Sequence, residues 1–418
     1  MVQDYIKAPS AQERKTEKES RLQFSKYASI NFMFYITMAL GSYVTVFLQS
    51  IGFDAQQVGI ITALNSGTGV ISSPFWGMLS DKIRSVKKII LITLVIGTIL
   101  FALIPASSGI SLGGLSLAFV FIPATMFFKM PPMSLLENWM LKNSSAEGLN
   151  YGAIRAFGAL SYAIASLVLG YLIPMTGTAF VFYANAVLTF PALLLFLFTK
   201  SSADDVGDKK HLTFKEMKIG QVFKDYYLMT YIIFSIFERI PFQCAMTFLP
   251  FLVADVGGDT AKMGIILGLR AFIEIPVMLL LKPLRKRIPL YYLIMAASGF
   301  FLIESILFSF INSFEAIVAI SVLHGIGNGL MLTTGVSYVF QLAPDHLKAT
   351  CQTILASMNS IAGILGGILG GVLIKAVGVK LFYLIIGLMM LVALVLFILS
   401  FPFGEKVLGK KRPGLSIQ

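Results

Sequence analysis

About a dozen apolar runs of roughly 20 residues follow one another along this chain, each closed by a short polar gap. Runs of that length predict helices that cross a bilayer, because hydrocarbon offers no partner for backbone N–H and C=O groups outside the helix itself. They fall at about 27–50, 56–79, 88–107, 112–138, 150–173, 178–199, 225–252, 262–281, 289–310, 313–340, 349–374 and 380–402. The longest polar interruption, Lys200 to Lys224, separates six runs from six. The pattern therefore predicts an all-α integral membrane protein. Its twelve transmembrane helices form two six-helix bundles with pseudo-two-fold symmetry and a solute site at their interface near the bilayer midplane. The corresponding divisions are an N-terminal segment (1–26), a first bundle (27–199), a linker (200–224), a second bundle (225–402) and a tail (403–418).

Composition agrees: 56% of residues are hydrophobic and 13% are charged. The net charge of +12 would suggest nucleic acid in a soluble protein, but its distribution points elsewhere. Basic residues crowd alternate gaps, among them Lys82, Arg84, Lys87, Lys88, Lys209, Lys210, Arg285, Lys286 and Arg287, while the other gaps hold little beyond Lys262, Lys375 and Lys380. The positive-inside rule then predicts a multi-pass protein of the cell membrane with both termini and the linker cytoplasmic. No cleavable signal pattern is read at the N-terminus. Cys244 and Cys351 lack CxxC spacing and read as packing residues. Three histidines give no metal-ligand cluster, and no phosphate loop or nucleophile–base set is present, so neither an enzyme, a bound cofactor nor a nucleotide-driven pump is expected.

The gap after the second run reads Gly77-Met78-Leu79-Ser80-Asp81-Lys82-Ile83-Arg84-Ser85-Val86-Lys87-Lys88. It resembles the loop signature of the major facilitator superfamily, with Ser85 in place of the usual second glycine. The resemblance implies gating roles for Asp81 and Lys82. A narrower match follows, with Glu137 near the end of run four and Tyr151-Gly152-Ala153-Ile154-Arg155-Ala156-Phe157-Gly158 opening run five, then Tyr162. This resembles the lactose and sucrose permease group of oligosaccharide:proton symporters, and similar strings occur in nucleoside and phenylpropionate relatives. What the resemblance implies is a Glu137–Arg155 pair that binds solute, with Tyr162 stacking on a sugar ring. The chemistry suits that role, since a planar guanidinium can hold a carboxylate and still donate to hydroxyls.

In the second half, Glu238 and Arg239 precede Pro241, which is expected to kink its helix. Adjacent residues on a helix point about 100° apart, so those two charges need not pair. Arg270 and Glu274 are spaced i and i+4, hence on one face, and Arg270 is expected to restrain Glu274, which the resemblance makes a second solute-binding carboxylate. His324 is followed by Gly327 and Asn328, with no acid close in sequence where the symporters carry one, and Val277 stands where they have an asparagine. Proton coupling is thus assigned to one of Glu238, Glu274 and Glu304. Lys129, costly inside the membrane, is expected to face the cavity. Asn31, Asn65 and Asn359 are further polar candidates within the runs. Five glycines (Gly363, Gly366, Gly367, Gly370, Gly371) give interlocking GxxxG spacings suited to close helix approach.

The reading is a secondary active transporter moving a small polar solute, a sugar or glycoside, by alternating access and proton symport. Its partners are the solute, protons and the bilayer, with a monomer as the functional unit. The alternative is an exporter of hydrophobic compounds, or an importer of nucleosides or aromatic acids.

Overall fold

The computed structural model describes residues 11–199, 225–344 and 347–414, so the linker expected at 200–224 lies outside the described residues. Span one comprises α1 (Ala11–Gly41) and α2 (Val44–Ser50), so the helix begins well inside the segment expected to precede the bundle. Span two is α3 (Ala55–Ile83), and span three is α4 (Val86–Ala102) followed by the short α5 (Ile104–Ser108). A small antiparallel hairpin, β1 (Ser111–Leu112) with β2 (Leu115–Ser116), takes the start of the run expected at 112–138. Span four then divides into α6 (Ala118–Lys129) and α7 (Pro131–Ala146), because Pro131 and Pro132 withhold two backbone donors at the junction. Spans five and six are α8 (Tyr151–Thr176) and α9 (Phe180–Phe198).

The second half repeats the plan. Span seven is α10 (Tyr226–Thr247) plus α11 (Leu249–Asp255). The helix runs on through Pro241 and ends at Phe248, two residues before Pro250, which sits in the first turn of α11. Spans eight to ten are α12 (Thr260–Arg285), α13 (Leu290–Phe308) and α14 (Phe314–Leu342). The last two spans join in α15 (Lys348–Lys406), 59 residues that a bilayer of about 30 Å could not hold straight. It turns at Gly378, whose φ of 77° suits only a residue without a side chain. Nine of the described helices are long and apolar enough to cross a membrane, and one of those is the doubled Ile354–Lys406. The 17-residue α4 and the more polar α3 complete the twelve.

Several helices start on their own side chains: Ser85, Asn150, Asp225, Asp259 and Ser313 each accept the N–H three residues on. Twelve crossings return the described chain to the face from which α1 sets out, here the terminal face. The bundles touch mainly toward the opposite face, along two seams related by exchange of the halves: α3 with α15, and α8 with α12. A side-chain carbon at Gly170 would sit 2.8 Å from the Ala261 carbonyl oxygen, and one at Gly264 would sit 2.7 Å from Gly170 Cα. In the other seam, Gly59 abuts the Gly367 carbonyl and Gly371 abuts that of Ala55. The glycines of α15 therefore serve two neighbours. Gly363, Gly367 and Gly371 face α3, whereas Gly366 and Gly370 face α10. One apolar core, from Ala39 and Phe182 to Phe248 and Tyr383, runs across both halves at this closed end. Lys375 spans the seam at its rim, donating to Gln56 at 2.9 Å and lying 3.5 Å from Asp54.

Candidate functional site

Between the bundles lies a cavity of about 190 Å³ lined by Tyr35, Arg155, Ala159 and Tyr162 from the first half. The second half contributes Met246, Leu267, Arg270, Ala271, Glu274, His324, Asn328 and Leu332. The two seams seal it toward the opposite face, and Glu137, on the terminal side, is about a third exposed.

On the first-half wall, Arg155 Nε lies 3.2 Å from Glu137 Oε1, and the same oxygen accepts the Tyr35 hydroxyl at 2.5 Å. The guanidinium carbon lies 4.3 Å from the centre of the Tyr35 ring, a cation–π contact, and it is Nε that meets Glu137, which suits the terminal nitrogens to a solute. Gly158 explains the last glycine of the YGxxRxxG string, since any side-chain carbon there would lie 2.7 Å from Tyr35 Cδ2. Tyr162 lines the cavity with its hydroxyl tied to Ser42 Oγ at 2.7 Å. Tyr35 was not legible as a site residue in the sequence. The usable signal was a tyrosine in an apolar span, whose hydroxyl needs a partner when buried.

The second-half wall is arranged differently from the sequence expectation. Arg270 does not restrain Glu274. It donates from Nη2 to Glu304 Oε1 at 2.6 Å, because α13 brings that carboxylate nearer than the i+4 neighbour on its own helix. His324 Nδ1 donates to the other oxygen, Glu304 Oε2, at 2.9 Å, and its ring stacks on Phe242. The acid missing from the sequence neighbourhood of His324 is thus supplied across helices. All three members are buried, at 6%, 3% and 4% exposure for Arg270, Glu304 and His324. A buried carboxylate with both oxygens engaged by cationic or polar donors is the arrangement that offsets its desolvation. Glu274, left without Arg270, accepts from Asn328 Nδ2 at 2.9 Å.

The remaining candidates lie apart from the cavity. Glu238 and Arg239 do approach each other, at 3.4 Å, with Glu238 buried in the second bundle. Lys129 does not face the cavity as expected. It turns into the first bundle, where Asn185 Oδ1 accepts from Nζ at 2.8 Å and the Phe101 ring lies 4.1 Å away. Asn185 in turn donates to the Thr37 carbonyl, so the break after Lys129 is tied to span one. Asn31 donates to the Ile154 carbonyl, which pins α1 against α8 just before Arg155. Lys82 is exposed at the end of α3, the side chain of Asp81 lies outside the described set, and Arg84 takes a positive φ of 55° at the turn into α4. Among the described residues, no group of three or more His, Cys, Asp or Glu side chains is placed to hold a metal.

The architecture is shared with solved transporters. The crystal structure of the nucleoside transporter NupG superposes with a TM-score of 0.74 at 17% identity, covering 90% of this chain and 98% of that one. A bacterial homologue of the human lysosomal transporter Spinster, in an inward-facing and unoccupied conformation, gives 0.67 at 12% identity over 94% and 99%. By sequence, a maltose permease of Geobacillus stearothermophilus is 24% identical over 338 residues, 79% of this chain and 83% of the relative. The uncharacterized transporter YwbF of Bacillus subtilis (strain 168) is 23% identical over 314 residues, 73% and 75%. Residues 25–385 match the MFS_1 like family, and the chain belongs to it, as a multi-pass membrane transporter of the major facilitator type and not an enzyme.

Proposed function

We propose that the protein imports a small, neutral, hydroxylated ring solute, a sugar or glycoside first and a nucleoside second, by alternating access coupled to protons. The observation that carries this reading is the cavity itself. Aromatic groups (Tyr35, Tyr162) and hydrogen-bonding groups (Arg155, Glu274, Asn328) converge on it from opposite bundles. A ring solute presents C–H faces and a rim of hydroxyls, which such a mixture of flat apolar and charged donor–acceptor groups matches. At about 190 Å³ the cavity falls below the ~300–1,000 Å³ of ordinary ligand pockets, which favours a small solute. The charged groups set into its lining, Arg155, Arg270 and Glu274, speak against export of hydrophobic compounds.

The relatives that bear names for maltose and nucleosides support the same solute class. The basic residues near the terminal face favour a cytoplasmic location for that face under the positive-inside rule, so the seams close the external side. Asp81 and Lys82, at the cytoplasmic end of α3, belong in this reading to the opposite gate. The test is external pH in lightly buffered, de-energised cells given pooled sugars, glycosides and nucleosides. Alkalinisation with one pool, absent in Arg155→Ala, supports the reading. No pH change with any pool refutes proton symport of this solute class.

A further inference from the structure

Resting on that proton-coupled reading, the geometry points to Glu274 as the group that carries the transported proton, with Arg270 and Glu304 as a fixed ion pair that His324 holds in place. Three carboxylates of the second bundle compete for the role, Glu238 and Glu304 buried and Glu274 half-buried, and their partners separate them. Glu304 has one oxygen on Arg270 at 2.6 Å and the other on His324 at 2.9 Å. Adding a proton there would break a charge-assisted hydrogen bond and strand a buried guanidinium. Glu238 is paired with Arg239 and lies off the cavity lining. Glu274 is the one of the three that lines the cavity, and no cation lies within ion-pairing distance of it among the described residues.

The groups facing Glu274 are consistent with a proton that comes and goes. From α14, Asn328 donates to Oε2, a bond that can persist when the carboxyl is neutral, because its carbonyl oxygen still accepts, though more weakly. His324, on the same helix, is committed to Glu304. From α8, Arg155 and Tyr162 face the cavity from the far wall, and Tyr35 of α1 lies beneath Arg155. Arg270, one turn earlier on α12, is held by Glu304. Around the cavity, two arginines therefore meet three carboxylates (Glu137, Glu274 and Glu304), leaving one negative charge with His324 neutral.

A proton on Glu274 removes that excess and lets Oε1 donate to a solute hydroxyl. In the step proposed, the proton binds Glu274 from the external side together with the neutral solute. Both are released at the cytoplasmic side, where water enters and Arg155 across the cavity favours the carboxylate. One positive charge then crosses per solute, and no bond in the solute is made or broken.

The test uses the full chain reconstituted in vesicles, with labelled maltose and labelled uridine as probes. Wild type, Glu274→Gln, Glu274→Asp and Glu304→Gln are compared in two assays: uptake driven by an imposed pH gradient, and counterflow without a gradient. Glu274→Gln is expected to lose gradient-driven accumulation at least tenfold and to lose the pH dependence of whatever counterflow it retains, with Glu274→Asp restoring both. Gradient-driven accumulation by Glu274→Gln at the wild-type level overturns the assignment, as does counterflow in that variant that keeps the wild-type pH dependence. Glu304→Gln showing the uncoupled phenotype alone also overturns it. If wild type moves neither probe with protons, the underlying function reading fails, which is a different result from a coupled wild type with an unaffected Glu274→Gln.

Discussion

An alanine at Gly264 together with one at Gly59 is expected to prise the bundles apart at the face they now close. A side-chain carbon at Gly264 would stand 2.5 Å from the Ser166 carbonyl oxygen and 2.7 Å from Gly170 Cα, distances that no repacking of a flexible side chain relieves. At Gly59 the obstacle is the Gly367 carbonyl in the other seam. Overpacking of this kind costs about 1–3 kcal/mol per site. The two sites lie in different helix pairs, so their effects add to about 2–6 kcal/mol against the closed arrangement. At 1.4 kcal/mol per decade this shifts the closed-to-open ratio by about 30-fold to 10⁴-fold. Alanine also raises helix propensity by up to ~1 kcal/mol over glycine, so loss of the helices themselves is not the expected failure. The assay is labelling of Ala159→Cys, a cavity position, by a membrane-impermeant maleimide applied opposite the termini; Cys244 and Cys351 are buried. Labelling is expected to rise at least tenfold in the double variant. Equal labelling with and without the alanines, in protein that is inserted and folded, would refute the reasoning.

Three further outcomes follow from the site. Glu304→Gln leaves Arg270 buried without its carboxylate and is expected to destabilise the protein by about 3–5 kcal/mol, read as a lowered melting temperature in detergent; an unchanged midpoint would contradict the triad. Gly158→Ala pushes a carbon into the Tyr35 ring, which supports Arg155, and is expected to weaken solute binding about 5- to 150-fold through a displacement of about 1–3 kcal/mol. Pairing it with Tyr35→Leu should not restore affinity, because the stacking platform is then gone. Lys129→Met is expected to leave transport rates within a factor of two, because its ammonium meets Asn185 and Phe101 inside the first bundle and not the cavity. A transport-dead Lys129→Met that folds normally would assign that lysine a role in the cycle.

Most of the architecture was legible in the chain because hydrocarbon imposes a single solution on apolar runs, and length alone then locates them. The exceptions arose where local chemistry overrode the run. The hairpin at Ser111–Ser116 uses Gly113 and Gly114 at positive φ, and span seven divides at Phe248, where Pro250 lies in the first turn of α11. Within the site, the Glu137–Arg155 contact was implied by the family resemblance, and the short connection from α7 to α8 returns the chain so that the two side chains meet. The Arg270–Glu304–His324 cluster was not, because its members lie on three helices and i, i+4 spacing offered Arg270 a nearer partner in sequence. Charge balance within the membrane was the available clue, as each buried charge needs a partner somewhere. Lys129 broke that rule by settling on an amide oxygen and a ring face, which no count of charges identifies.

The most direct test of the central claim is uptake of labelled sugars and nucleosides by the purified protein in vesicles under an imposed inward pH gradient. The account predicts accumulation of at least one solute above its equilibrium level, collapsed by a protonophore and absent in Arg155→Ala. Uptake that only equilibrates, with the same extent whether or not the gradient is present, would contradict it.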